Sequence, residues 1–513
     1  MRIGLIVSSA ELPSWTGVLF AHIAASGQHE VGLVAAPSRT TPKRGAASAS
    51  LDRLQALERL GAGRHRGWLI DAMATPSAAA SLPHLLHGAP MDLALDLLGD
   101  GSGQSTPHSA RTLTPLLDGA PVAAGLWPAL LSRRAPVIAV HDSASGAVST
   151  LALPALHAPH RLLESADAVL SHLVRCLADA ALSVASTGAL PHFASTPLPR
   201  YAAAPGTVSL AAMASFLAAR MTAAIAVRGQ RLLKQEPVWQ VAWRRAETRL
   251  HVPQTLDAVA YRRVPDDSRR YYADPFLFEH QGTLHLFVEE LPSSSGRGVI
   301  SHVAFGNDGP IGSPTPVLTE PHHLSYPQVF ARDGEVWMLP EAAQSGRLTL
   351  YRAAPFPSRW VPHATLIAEP LHDATLFEHG GRLWITAATV VGAASSWDTL
   401  SIWSAERLAG PWSPHPKNPV LVDARAARPA GVPYVSEGVL WRPAQDCRHG
   451  YGAGLSLCRV TELSPTGFAQ EIAATYRFDS AAGFGGFHTI NHTRELEVID
   501  LIAPRLPRAH TET

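Results

Sequence analysis

The stretch YYADPFLFEHQGTLHLFVEE, residues 271–290, alternates large apolar and polar residues on either side of a Gln-Gly pair. Alternation around a short turn with glycine predicts a β-hairpin, and Asp274 stands at the start of its first strand. About a hundred residues later the stretch LHDATLFEHGGRLWITAAT, residues 371–389, repeats the frame with Asp373 in the same place. A hairpin that recurs together with its leading acid indicates a repeat architecture.

Two further stretches fit this frame, SYPQVFARDGEVWMLPEA from Ser325 and SEGVLWRPAQDCRHGYGAGL from Ser436. The frames follow one another at roughly 50 residues, with further strand pairs between them, which is the size of a four-stranded propeller blade. We therefore predict an all-β five-bladed β-propeller over 238–505, with the fifth blade around GGFHTINH, residues 485–492. A β-sandwich is the alternative, but it does not explain the even spacing of similar hairpins.

Equivalent positions of a propeller repeat lie at equivalent places around one axis, so residues far apart in sequence meet at the channel mouth. The predicted members of this ring are Asp274, Tyr326, Asp373 and Glu437, with His488 from the fifth unit. Carboxyl groups gathered in one pocket repel one another, so the pKa of one rises while that of another stays low. That split suits glycoside chemistry. The alternative is structural, with these acids capping strands or pairing with arginines such as Arg425, Arg428 and Arg442.

Polar and aromatic residues near the same loops extend the predicted site from catalysis to substrate binding. The candidate substrate-binding residues are Tyr272, His322, His323, Tyr326, Glu341, Arg442, Gln445, Asp446 and His488. Flat aromatic faces suit sugar rings, although most aromatic residues of a propeller pack between blades.

Several motifs in order, RYYADPFLFEHQGTLHLFVEE, EPHHLSYPQVF, DATLFEHGGRLWI and HTIN, carry a family resemblance. Residues 238–500 resemble the N-terminal region of plant glucosamine inositolphosphorylceramide transferases and related bacterial proteins. That region is similar to five-bladed propeller hydrolases of the arabinanase and xylosidase type, which use an Asp base, a second tuning Asp and a Glu acid. The resemblance implies these roles for Asp274, Asp373 and Glu437, with Glu341 as the rival acid. The plant proteins also have a separate transferase domain, which this chain lacks.

The first part of the chain alternates compact apolar runs with helical stretches, which predicts an α/β domain with an open parallel sheet over 1–200. A helical connector is predicted over 201–237. The start of the chain resembles formyltransferase-like domains. His141 and Asp142 end the run PVIAVHD (136–142), but the Asn-x-HPS pattern of that family is missing, so the resemblance implies a degenerate site.

The amino-acid composition restricts the classes of molecule that the protein is expected to bind. Charged residues make up 16% and the formal net charge is zero, which argues against a nucleic-acid binder. The three cysteines form no metal-binding spacing, and neither a cofactor nor a metal site is predicted. The expected partner is a carbohydrate or sugar-nucleotide substrate.

The N-terminus lacks the pattern of a secretory signal, so a cytoplasmic protein is expected. The apolar stretch 207–227 allows membrane association, either as a span or as an interfacial helix in contact with lipid or glycolipid. A soluble alanine-rich helix packed between domains is the favoured interpretation of this stretch.

Taken together, these features predict a carbohydrate-active protein of cell-surface glycan or glycolipid assembly that transfers a glycosyl group with its axial carboxylates. A glycoside hydrolase, a non-catalytic glycan-binding scaffold and a sugar N-formyltransferase are the alternatives.

Overall fold

A computed structural model describes the chain over most of its length. The described residues are 1–8, 13–36, 46–61, 68–71, 90–98, 109–191, 208–233, 238–245, 261–267, 269–477 and 485–503. The chain forms two compact units, Met1–Ala226 with Val390–Ser395, and Val227–Thr389 with Ser396–Thr513. The division falls inside the predicted connector.

The first unit is an α/β domain, as predicted. Its strands β1 to β7 are Arg2–Ser8, Glu30–Ala36, Leu93–Asp96, Thr112–Leu117, Ala120–Pro121, Ile138–Asp142 and Val148–Ala152. Its helices α1 to α5 are Ser14–Ala24, Ala46–Gly61, Val122–Leu131, Leu162–Thr187 and Leu210–Leu233. The last helix continues into the second unit.

The sheet of this unit is mixed and not fully parallel. Its strand order is β2-β1-β3-β4-β6-β7, with β5 beside β4. The strands from β2 to β4 pair in parallel, but β6 runs antiparallel to β4 and β7 antiparallel to β6. The prediction of a parallel strand at PVIAVHD was therefore wrong, because a buried apolar run fixes burial but not strand direction.

The second unit is a β-propeller whose described residues form five blades, as predicted. The first blade consists of strands β10 to β14: Arg270–His280, Thr283–Pro292, Val299–Gly306, Gly309–Pro310 and Thr315–Leu318. The second consists of β15 to β18: Ser325–Arg332, Glu335–Glu341, Leu348–Ala353 and Trp360–Ile367. The third consists of β19 to β23: His372–His379, Arg382–Ala388, Thr399–Ala405, Ser413–Pro414 and Leu421–Val422. The fourth consists of β24 to β27: Tyr434–Ser436, Val439–Gln445, Leu455–Leu463 and Phe468–Tyr476.

The fifth blade joins the two ends of the propeller sequence. Its strands are β8 (Val238–Arg245), β9 (Arg262–Arg263), β28 (Ile490–His492) and β29 (Leu496–Ala503), in the order β28-β29-β8-β9. Strand β8 pairs antiparallel with β29 along all eight of its residues. The ring closes because an early strand completes the last blade, and Val241, Val498 and Ile499 are buried there. In this way β8 covers the edge that β29 would otherwise expose.

The repeated hairpins share one backbone irregularity. Asp274, Tyr326 and Asp373 have φ angles of 49°, 48° and 50°, in the left-handed region that non-glycine residues rarely adopt. At each of them the register of the first and second strands of the blade shifts. A bulge of this kind re-aims a side chain at the end of a strand. The same local distortion therefore places all three side chains at the same end of their blades.

Glu437 does not share this position. Strands β24 and β25 pair from Tyr434 to Ser436 and from Val439 onward, so Glu437 and Gly438 form the two-residue turn between them, with φ angles of 52° and 77°. The equivalent turn residues in the first two blades are Gln281 and Asp333. The predicted equivalence of Glu437 with Asp274 was therefore wrong. The fourth frame was aligned on the turn that follows the first strand of the blade, and not on the start of that strand.

Candidate functional site

Asp274 is buried at the start of β10, and its carboxylate joins two neighbouring blades. Oδ1 accepts a hydrogen bond from the Thr489 hydroxyl at 2.7 Å, and Oδ2 accepts one from the Tyr326 backbone N–H at 3.3 Å. Burial raises the pKa of Asp274 well above its usual range, and the His488 imidazole lowers it in part. Burial therefore favours the neutral form of the Asp274 carboxyl group.

Asp373, at the start of β19, is surrounded by donors. Arg428 donates from Nε to Oδ2 at 2.6 Å and from Nη2 to Oδ1 at 3.2 Å, and Gln445 donates to Oδ2 at 2.8 Å. Burial raises the pKa of Asp373 to about 6, although Arg428 acts in the opposite direction. The bidentate pair fixes the orientation of this carboxylate.

Glu341 ends β16 and reaches the start of the third blade. Its Oε2 accepts the Asp373 backbone N–H at 2.9 Å, and its Oε1 lies 3.1 Å from Nδ1 of His372. Burial disfavours the charge of Glu341, but the His372 contact and the nearby Arg428 outweigh it and lower its pKa to about 2. Glu341 is thus ionised while Asp274 is held toward its neutral form. The side chains of Glu341 and His372 keep 12% and 25% exposure, so both are accessible from solvent.

His488 lies between two buried carboxylates from different blades. Its Nδ1 contacts the Asp500 carboxylate and its Nε2 lies 3.7 Å from Oδ1 of Asp274. Burial opposes protonation, but Asp500 and Asp274 outweigh it and raise the pKa of His488 to about 9. The ring stacks on Trp239 at 4.0 Å and meets Tyr451 edge-on at 5.0 Å. These contacts hold an imidazolium in a fixed orientation beside Asp274.

A second carboxylate–imidazole pair lies at the partly exposed end of the first blade. Nε2 of His323 lies 3.1 Å from Oε1 of Glu289, while Nδ1 of His323 accepts the Gly298 backbone N–H at 2.9 Å. The tautomer with its proton on Nε2 satisfies both contacts. A Cβ on Gly298 would lie 2.7 Å from the His323 ring and 2.4 Å from the Leu324 carbonyl oxygen, so only glycine allows this approach.

Aromatic rings surround these groups. The Arg428 guanidinium lies 5.1 Å from the centre of the Tyr451 ring, and Trp397 lies 5.8 Å from the same ring. Tyr451 and Trp397 are partly exposed. Rings beside buried hydrogen-bonding groups make a surface that suits the apolar face and hydroxyls of a sugar.

The structure brings together six of the predicted site residues. The contacts above join Asp274 to Tyr326 and His488, and Asp373 to Glu341 and Gln445. The Thr375 hydroxyl, which donates to the Asp373 carbonyl at 3.0 Å, connects the two groups. The Tyr326 hydroxyl completes the set, since it accepts the Gly431 N–H at 2.6 Å and lies 3.0 Å from the Thr375 hydroxyl. His323 stands beside Glu289, and His322 is a partly exposed neighbour in the same loop.

Four predicted site residues lie elsewhere. Glu437 is exposed in its turn, and Tyr272 packs in the apolar core formed by β8, β10 and β11. Arg442 is buried, where it donates to the carbonyls of Ala426 and Ala427 and to Gln470. Asp446 accepts hydrogen bonds from Arg448 and Arg477 at 2.8 and 2.7 Å. The last two stabilise the fourth blade, because a dense polar sequence also serves loops whose buried backbone needs partners.

Sequence reasoning missed Glu289, and it named Glu341 and Gln445 without recognising that all three occupy equivalent positions of the second strands. Glu289 and Glu341 each stand seven residues after the turn glycine of their hairpin, Gly282 and Gly334, and Gln445 stands seven after Gly438. This second in-register position is visible in the sequence, but only the first strands were compared. Asp500 and Thr489 were missed because the fifth blade has a different loop and does not follow the frame.

Among the residues that the structure describes, one group has the spacing for a metal ion, the buried trio Asp274, His488 and Asp500. The contacts within the trio give an alternative account of its charge. Asp500 accepts the backbone N–H groups of His488 and Thr489 at 2.9 and 3.0 Å, and protonated His488 supplies a positive charge. The trio is therefore accounted for by ion pairs of His488 with the two carboxylates and by backbone hydrogen bonds to Asp500.

Comparison with known proteins identifies the family. The family model described as "Glucosamine inositolphosphorylceramide transferase 1, N-terminal" matches residues 236–500, more than half of the chain. This chain belongs to that family. The match covers the propeller together with its closing strand β8, so the predicted resemblance of this region is confirmed.

Individual members of the glucosamine inositolphosphorylceramide transferase family match a shorter segment. Glucosamine inositolphosphorylceramide transferase 1 of Arabidopsis thaliana is 35% identical over 198 residues, which cover 38% of this chain and 26% of that protein. Its namesake from Oryza sativa subsp. japonica is 36% identical over 199 residues, covering 38% and 27%. The matched segment therefore spans about a quarter of each relative.

Among solved structures, a family 117 glycoside hydrolase, Zg3597 of Zobellia galactanivorans, shares 12% identity over 53% of this chain and 92% of its own, with a TM-score of 0.34. BlXynB of Bacillus licheniformis, a GH43 protein, shares 16% identity over 54% and 57% of the two chains, with a TM-score of 0.32. The formyltransferase-like character of the first unit stays a prediction.

Proposed function

We propose that the propeller takes part in glycosyl transfer to a glycolipid or cell-surface glycan and that it holds the reacting sugar at the Asp274–Asp373 network. One observation carries the proposal. Carboxyl groups from three blades share one hydrogen-bonded network, and their pKa values are shifted in opposite directions. Acid–base chemistry on a sugar requires a pair of carboxyl groups of which one is ionised and the other protonated. The names of the relatives support the same reaction class.

In this proposal Asp274 accepts the proton of the acceptor hydroxyl. A raised pKa makes its carboxylate a stronger base, and deprotonation is completed as the pH rises. The His488 imidazolium limits the rise and keeps the carboxylate form accessible. Asp373, held by two hydrogen bonds from Arg428, acts on the charge states of the neighbouring carboxyl groups. The ionised Glu341 stabilises positive charge that develops on the sugar ring. Glu437 has no part in this mechanism. As the acceptor oxygen bonds to the anomeric carbon of a nucleotide sugar, the bond from that carbon to the nucleoside diphosphate breaks, and the diphosphate departs as an anion without a protein acid.

The test is a transfer assay on the full chain. Radiolabelled nucleotide sugars are incubated in detergent micelles with inositol-phosphate lipids and glycolipids as acceptors, and products are identified by mass spectrometry. We expect a lipid-linked product whose formation falls by about 100-fold or more in Asp274→Asn. The matched control is Glu437→Gln, which changes a carboxyl group in an exposed turn and should transfer like the parent chain. Free sugar released without an acceptor would instead indicate a hydrolase.

A second candidate function is glycan binding without catalysis. The observation that favours it is the saturation of Asp373, whose two oxygens already accept three hydrogen bonds from Arg428 and Gln445. In that case Asp274→Asn would retain the affinity for an oligosaccharide, measured by calorimetry, while no nucleotide sugar yields a product. If the parent chain transfers sugar and Asp274→Asn does not, while the variant keeps its affinity for the oligosaccharide, a catalytic role is favoured.

For the first unit we keep the formyltransferase-like domain with a degenerate site as a hypothesis. The parallel strands from β2 to β4 support it. Against an active site at Asp142, the carboxylate is engaged by Nε and Nη2 of Arg111 at 2.9 and 2.7 Å and by the Ser145 hydroxyl at 2.9 Å. No formylated product is therefore expected when the chain is incubated with formyl-tetrahydrofolate and an amino-sugar nucleotide.

A further inference from the structure

Helix α5 exposes an unusual amount of apolar surface. The most apolar stretch of 18 residues within Leu210–Gln230 has a mean hydropathy of 1.7, yet only 11% of that stretch is buried. The exposed fractions of Leu217, Met221 and Ile225 are 41%, 64% and 69%. These residues follow one another at four-residue intervals, so they form a single stripe along the helix. A stripe of this kind in water is unfavourable and indicates a surface that is covered in the working protein.

The opposite side of the helix is already occupied. Met213 and Phe216 are buried at 5% and 0% exposure. Arg220 pairs with Glu58 of α2, with Nη1 2.9 Å from Oε1, and the Glu58 carboxylate also accepts the first N–H groups of α4. The helix is therefore fixed to its own unit along one side. A helix held in this way presents only its outer stripe to a partner.

Charge is distributed along the helix in a way that selects the partner. Between Leu210 and Val227 the sequence contains one charged residue, Arg220, whose guanidinium is paired with Glu58. Arg228 is exposed at the end of the apolar stripe, and the sequence continues with further basic residues, Arg231 and Lys234. An apolar stripe followed by basic residues complements a layer whose acyl chains lie beneath anionic headgroups.

We propose that α5 lies along the surface of an anionic lipid bilayer, with the Leu217–Met221–Ile225 stripe in the acyl boundary and its basic end among the headgroups. The length of the helix also permits a span, but a spanning helix must face lipid all round, and α5 is packed on its unit through Met213 and Phe216. The sequence favoured a soluble helix packed between domains, and the exposed stripe supports the interfacial alternative instead. This proposal is independent of the carbohydrate chemistry of the propeller.

The test is flotation of the purified full chain with two kinds of vesicle, one of phosphatidylcholine alone and one of phosphatidylcholine with about 30 mol% phosphatidylglycerol. The second kind supplies the anionic headgroups that attract basic segments. We expect flotation with the anionic vesicles, reduced by added salt. The double variant Met221→Glu, Ile225→Glu should lower the bound fraction about tenfold or more, because two charged groups would enter the apolar layer. Both positions are exposed, so the variant should keep the circular dichroism spectrum and melting temperature of the parent.

The matched control is the double variant Ile311→Glu, Val435→Glu, which places the same two charges at apolar residues of similar exposure, 67% and 58%, on the propeller. It should float like the parent. The proposal is overturned if the parent chain does not bind anionic vesicles, if the α5 variant binds as well as the parent, or if bound protein resists extraction by alkaline carbonate as a span does. A parent dimer in sedimentation equilibrium that becomes a monomer in the α5 variant would assign the stripe to a second copy and would also overturn it.

Discussion

Arg428 holds Asp373 through two nitrogens, with Nε 2.6 Å from Oδ2 and Nη2 3.2 Å from Oδ1, and the exposed fractions of the two side chains are 7% and 3%. The residues are 55 apart in sequence and belong to the entries of the fourth and third blades. The pair therefore fixes the angle of one blade against the next and the orientation of a candidate functional carboxylate at the same time.

We expect Arg428→Gln to destabilise the protein by about 3–5 kcal/mol, because it leaves the Asp373 carboxylate buried without its cation. The free energy of unfolding from urea titration at pH 7 measures the effect. Adding Asp373→Asn to this variant should restore part of the loss, since the uncompensated charge is then removed. Purely additive effects of the two substitutions would contradict a direct coupling between these residues.

Glu341 should make the folded state sensitive to acid. Its pKa is lowered to about 2 in the folded state from an ordinary value of 4.5. A depressed carboxyl pKa contributes stability that is complete above the unfolded value and is lost as the pH falls through the folded value. The contribution is about 3 kcal/mol and should disappear between roughly pH 4.5 and pH 2.

The measurement is the unfolding free energy of the parent chain and of Glu341→Gln over that range of pH. The variant should be less stable at pH 6 and should show a shallower decline below pH 4.5. Glu378→Gln is a suitable control, because Glu378 pairs with Arg332 at the surface with 55% of its side chain exposed. Parallel curves for the parent chain and Glu341→Gln would rule out the buried ion pair as the source.

His488 should set the pH at which the candidate base becomes active. Its positive charge lowers the pKa of Asp274, which burial raises. His488→Gln removes that charge, so Asp274 should stay protonated to higher pH and the acidic limb of the transfer rate should move upward by roughly one pH unit or more. The pH–rate profile of the transfer assay, recorded together with the melting temperature, separates this shift from a loss of folded protein. A limb that stays in place or moves to lower pH would remove Asp274 from the base role.

The turn at Glu437 should matter for folding and not for the chemistry. Gly438 has a φ of 77°, and a Cβ there would meet no atom within 4 Å, so the cost of Gly438→Ala is conformational alone, about 1 kcal/mol. Urea unfolding measures it. At urea concentrations below its unfolding transition, Gly438→Ala should transfer sugar at the rate of the parent chain. A large loss of transfer in Gly438→Ala would place this turn in the functional site after all.

The sequence by itself determined the repeat. The alternation around Gly282, Gly334 and the Gly380–Gly381 pair, at nearly equal spacing, was enough to predict blades and their number, because strand period and turn chemistry are local properties. The same comparison found Asp274, Tyr326 and Asp373, which the structure joins. The comparison failed at Glu437. The first strand of the fourth blade is short, so the alignment assigned an acid of the turn to the position that an acid at the start of the strand holds in other blades.

Only the tertiary structure decided which residues complete the site. Arg428 precedes its blade, Glu341 ends a second strand, and Asp500 lies on the strand that β8 covers when the ring closes. The sequence named Glu341 as a candidate and Arg428 as a partner of the acids, but it did not show which groups they contact, since those contacts depend on how blades stand against one another. Their charge states were equally out of reach of the sequence, because the opposite pKa shifts of Glu341 and Asp274 arise from burial and from neighbours that closure of the ring brings within hydrogen-bonding distance.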